Sequence, residues 1–173
     1  EVEPLRFSLQ AIHPILSLPE SLPNLNVLTN QLPNIDWAKI FEAYNKTKAN
    51  VNYEQLECLG LDYNLERLTA SFIIKRPTGY SGDLCKKGST EYVAFWADWN
   101  DDCKWTYLDT VSVNVHDLEE VGKGVCYTAV LPWNLDRFRQ PCSSPRIVKL
   151  RAVLSWNTPP STNDPEDLKT YGN

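Results

Sequence analysis

The feature that most constrains this chain is the run Tyr92–Asp117, YVAFWADWNDDCKWTYLDTVSVNVHD. Val93, Phe95, Ala97 and Trp99 fall on one side of a period-two pattern, with Tyr92, Ala94 and Trp96 on the other. After the acidic turn at Asn100-Asp101-Asp102, Trp105, Tyr107, Val111, Val113 and Val115 share a face, and Thr106, Thr110, Ser112 and Asn114 take the opposite one. A period of two is the signature of a strand, so the run reads as two long strands joined by a tight turn. The first strand is apolar on both sides. Such a strand is central and covered on both faces, or has an aromatic outer face. Leu108-Asp109 interrupts the alternation of the second and predicts a β-bulge.

The same period recurs along the chain. Leu56, Cys58 and Leu61 lie in one expected strand, and Leu68, Ala70, Phe72 and Ile74 alternate in the next until Pro77 stops it. Val125, Tyr127, Ala129 and Leu131 make another, and Val148, Leu150, Ala152, Leu154 and Trp156 the last. Near the start, Leu5, Phe7 and Leu9 alternate with polar residues. Prolines at 14, 19, 23 and 33, with leucines at 16, 18, 22, 25, 28 and 32 between them, forbid a long helix or a central strand. That segment is expected to lie extended on a hydrophobic surface, either this domain's own core or a neighbouring subunit that it joins as an added strand. Asn34 can cap a helix in which Trp37, Ile40, Phe41 and Tyr44 form one apolar stripe ending near Lys48. The expectation is a mainly β chain: an antiparallel β-sandwich of the immunoglobulin or fibronectin-III kind, with about seven strands and one short N-terminal helix. Residues 1–52 would pack on a sandwich domain of 53–173, whose end from Ser161 reads as a polar, weakly ordered tail.

A net charge of −5 disfavours nucleic acid, which requires a basic face. No apolar run approaches the roughly 20 residues of a membrane-spanning helix. The chain lacks methionine and starts at Glu1, as an excised piece or a mature chain after signal cleavage would. Five cysteines with no CxxC pair and only two histidines point to disulfides rather than a metal cage. An oxidising, secreted or cell-surface location follows. Strand directions put Cys103 and Cys142 at the end carrying the Asn100 turn, Cys85 and Cys126 at the other, and Cys58 within a strand. Bridged Cα atoms must lie within about 7 Å. The expected bridges are Cys103–Cys142, and Cys85 with either Cys58 or Cys126.

Two constellations could carry chemistry. Asp98, Asn100, Asp101 and Asp102 could offer oxygens to calcium, although the turn lacks the glycine and distal glutamate of an EF-hand. Arg137 and Arg139, expected at the same end, could neutralise it instead. Trp96, Trp99, Trp105, Tyr107 and Trp133 could form a stacking platform for a polysaccharide, or belong to the core. Gly79-Tyr80-Ser81-Gly82 has the wrong spacing for a nucleophile elbow. His116 and Asp117 are adjacent in a strand, so they point to opposite faces and do not build a triad.

The pieces GYSGDLC, STEYVAFWADW, Cys103-Lys104-Trp105, TVSVNVHD and RAVLSWNTP, covering Tyr53–Asn173, resemble a pattern in a family of bacterial proteins, predicted to be secreted and without a known activity. The cysteines that recur there match Cys58, Cys85, Cys103 and Cys142. The resemblance therefore implies Cys58–Cys85 beside Cys103–Cys142, and it implies no reaction. The functional expectation is a non-catalytic extracellular module with a structural, adhesive or assembly role, whose partners are other copies or domains of the same assembly. A carbohydrate- or calcium-binding module is the alternative, and a hydrolase accessory or catalytic domain the third reading.

Overall fold

The computed structural model describes residues 49–173, apart from 142, 145, 146 and 170. The chain divides into units Glu1–Thr47 and Lys48–Asn173, and the description concerns the second. The expected strand at Leu5–Leu9, the Pro/Leu-rich segment 13–33, the helix from Asn34 and the cysteine at 142 lie outside the described residues.

Among the described residues the chain is mainly β, with no α-helix. The strands are β1 (Glu54–Asp62), β2 (Arg67–Ile74), β3 (Ser89–Asp98), β4 (Thr106–Val115), β5 (Val125–Pro132) and β6 (Lys149–Trp156). All pairings are antiparallel and form two three-stranded sheets, ordered β1-β2-β5 and β4-β3-β6. A 3-10 turn, Asp136–Phe138, lies between β5 and β6.

β2 is central in its sheet and shows a clean alternation. Leu68, Ala70, Phe72 and Ile74 are buried, while Thr69, Ser71 and Ile73 are half-buried. Each large apolar side chain buried in this way contributes about 2 kcal/mol. β3 is central in the other sheet, as its two apolar faces require. Val93, Phe95 and Ala97 are buried on one face, and Ala94 and Trp96 on the other. The expected bulge is present: Phe95 pairs with Asp109 and Trp96 with Tyr107, so Leu108 is the extra residue. A second irregularity, between Leu56 and Cys58, leaves Glu57 unpaired in β1.

The end of the chain departs from the expected loose tail. Tyr171 is buried and packs edge-to-face on Trp156 (5.7 Å between centroids) and on Tyr53 (6.3 Å). Gly172 bridges Ser155. Leu154 N–H donates to the Asn173 carbonyl at 2.8 Å, and Asn173 N–H donates back at 2.9 Å. Asn173 Oδ1 accepts the Leu56 N–H at 2.7 Å, and its Nδ2 donates to the Glu54 carbonyl at 3.1 Å. One residue therefore ties an edge of β6 to an edge of β1. Burial of the Tyr171 ring is the driving force that a reading of the polar residues around it overlooks.

Candidate functional site

The chain reverses after β3 because Asp98 organises the turn. Its side chain is buried. Oδ1 accepts the N–H groups of Asn100 (3.3 Å) and Asp102 (3.2 Å), and Oδ2 accepts that of Cys103 (2.9 Å). Asp101 and Cys103 adopt left-handed φ values of 56° and 62° to present those groups. The other acids face outward. Asp102 pairs with Lys104 at 3.0 Å, and Asp101 pairs with Lys149. The hydrogen bond from Lys104 holds the Asp102 carboxyl below the usual carboxylate range, and the Asp101 partner raises the Lys149 ammonium. Of the four residues considered for calcium, Asp98 is thus an inward turn-former, Asn100 gives it a backbone N–H, and Asp101 and Asp102 hold outward ion pairs. Among the described residues no three Asp, Glu, His or Cys side chains gather as a metal site. Lys149 neutralises the turn, whereas Arg139 pairs with Glu66 and, at 3.5 Å, with Asp136.

Beside this turn lies a cleft of about 600 Å³. Leu61 of β1 and Leu68 of β2 line it from one sheet; Leu150 of β6, the preceding Val148 and Trp99 line it from the other. The loop after β5 supplies Trp133, Leu135, Phe138 and Pro141, and Tyr63, Arg139 and Gln140 complete the lining. The 3-10 turn brings Phe138 flat against Trp99, with centroids 3.7 Å apart and planes 5° from parallel. Leu61 and Leu150 are only half-buried, unlike the inward residues in the middle of β2 and β3. Among the described residues the lining is mainly apolar and aromatic surface, without His, Cys, Ser, Asp or Glu.

The five aromatic residues considered for stacking separate into two groups. Trp99 and Trp133 line the cleft. Trp96 lies buried on the opposite face of the β4-β3-β6 sheet, edge-on to Tyr107 (5.2 Å), and Trp105 sits near it under the Arg151 guanidinium (5.8 Å). Arg151 in turn pairs with Glu166 at 3.2 Å. Leu135 and Phe138, which the sequence reading did not single out, stand in the loop after β5. Their three-residue spacing was the signal available.

At the other end of the strands, Asp117 is consumed structurally. Its two oxygens accept the N–H groups of Tyr80 (2.7 Å) and Gly82 (2.9 Å), and His116 Nε2 meets the Lys86 carbonyl at 3.1 Å. Cys58, Cys85, Cys103 and Cys126 are exposed free thiols. Cys58 pairs across from Ser71 and Cys126 from Ile73, so they lie on the two strands that flank β2. No protein-family model, curated protein or solved structure matches the chain.

Proposed function

We propose that this chain is a non-catalytic, extracellular β-sandwich module of the immunoglobulin or fibronectin-III kind, with an adhesive or assembly role. It recognises its target with the cleft at the Asp98 end. The observation that supports this reading is the cleft itself: a concavity of about 600 Å³ between the two sheets, walled by Trp99, Phe138 and Trp133. Sites of this size and apolarity are where proteins hold ligands. Loops at the end of a two-sheet scaffold are a common place for recognition, because rigid strands position them.

A carbohydrate-binding role is the second reading, favoured by the two indoles, Trp99 and Trp133, in the lining. The calcium reading has no such support, because the Asp98 oxygens already serve three backbone N–H groups. Tryptophan emission across a polysaccharide panel, together with sedimentation velocity at rising protein concentration, tests the proposal. Leu135→Asp should abolish whichever association the wild type shows. A wild type that stays monomeric, is optically unchanged by every polysaccharide and takes up no other guest in the cleft would sink both readings.

A further inference from the structure

We infer that the guest of this cleft is an uncharged, predominantly apolar small molecule of a few fused or linked rings, rather than a sugar or an ion; this rests on the cleft being the recognition site. Three observations converge. The cavity, about 600 Å³, is of the size that encloses most of a drug-sized molecule. Its walls are branched aliphatic and aromatic side chains from both sheets and from the β5–β6 loop. A guest that displaces water from such walls gains in proportion to the apolar area it covers.

The third observation is electrostatic. Arg139 is the only charged residue among those described in the lining, and its guanidinium is already held by Glu66 and Asp136. An anionic guest would have to give up hydration without gaining a free counter-charge, and a cationic guest would meet no acid among the described lining residues. A sugar ring could stack on Trp133, but its hydroxyls need several donors and acceptors. The lining offers the Gln140 amide, the Tyr63 hydroxyl and the Trp133 indole N–H, which is buried with no hydrogen-bond partner among the described residues, with the guanidinium engaged elsewhere. An apolar body with one or two neutral polar groups, an acceptor for the Trp133 N–H among them, matches that supply.

The test is titration of the whole chain with the uncharged dye N-phenylnaphthylamine, read by dye fluorescence and by energy transfer from tryptophan. Saturable binding is expected, with the sulfonated, anionic analogue binding more weakly. Leu135→Asp places a charge in the lining and Val148→Trp fills it; each should weaken the dye about tenfold or more, with the fold verified by circular dichroism. Leu84→Ser, 70% exposed in the loop before β3, should leave binding unchanged. Absence of saturation, equal affinity in both folded cleft variants, or a preference for the anionic dye would overturn the inference. A polysaccharide that binds the wild type and fails with both cleft variants, while the dye does not bind the wild type, would overturn the inference and leave the recognition reading standing.

Discussion

Of the three aspartates in the turn after β3, Asp98 points inward and serves as acceptor for the chain ahead of it. Its carboxylate is buried and accepts three N–H groups, on Asn100, Asp102 and Cys103. A hydrogen bond to a charged acceptor contributes more than a neutral one, and a donor left without a partner in a part-buried turn costs about 1–3 kcal/mol. Asp98→Ala should therefore lower the free energy of unfolding by about 2–4 kcal/mol in urea titration. Asp98→Asn should recover part of that, because one oxygen remains while the new amide N–H opposes an existing donor. Lys104→Ala and Lys149→Ala remove exposed ion pairs from the same turn. They should leave the unfolding midpoint unchanged, because solvent already screens those charges. If the lysine variants lost as much as Asp98→Ala, the turn would be held by its outer charges and the inward role of Asp98 would be wrong.

Between elements, the clearest dependence is that of β1 on the last residues of the chain. β1 pairs with β2 on one edge only. Its other edge meets the Asn173 side chain, which copies a strand's donor–acceptor pattern toward Leu56 and Glu54. Asn173→Ala should cost about 1–3 kcal/mol, and hydrogen exchange at the Leu56 amide should rise more than at the β2 amides. Unchanged protection at Leu56 would mean that β1 does not lean on this contact. Legibility from sequence follows a similar physical line. The bulge at Leu108 was readable because it breaks an otherwise regular apolar alternation. The one at Glu57 was not, because Glu57 and Cys58 are both exposed and the apolar pattern around them stays ambiguous. Tyr171 was missed for the reason that a single aromatic in a polar tail carries no period.

At the scale of the whole molecule, the alternations in β2, β3 and β5 carried the two-sheet arrangement, since period two leaves few ways to bury both apolar faces of β3. The cleft was less legible. Trp99 and Trp133 were singled out, but as members of a five-residue platform that the two faces of the β4-β3-β6 sheet divide. Which face an aromatic takes depends on register, and the Leu108 bulge shifts that register between Phe95 and Trp96. The same topology limits how the thiols can be joined. Cys58 and Cys126 lie on either side of β2, two interstrand spacings or about 9.5 Å apart across the sheet and offset by two residues along it, beyond the roughly 7 Å that a bridge tolerates. Cys85 precedes β3 and Cys103 follows it. The ten residues of that strand, at about 3.3 Å each, hold them at opposite ends. Pro141, next to Cys142 in sequence, lines the cleft beside Trp99, at the end where Cys103 is exposed. Oxidation should therefore join Cys103 to Cys142, closing a loop of roughly 40 residues and stabilising the fold by about 4 kcal/mol on the chain-entropy estimate. Non-reducing peptide mapping of the oxidised chain should recover that link, with Cys85 joined to Cys58 or Cys126 or left free. Recovery of Cys103 joined to Cys85, or of Cys58 joined to Cys126, from protein that still unfolds cooperatively would contradict the strand order.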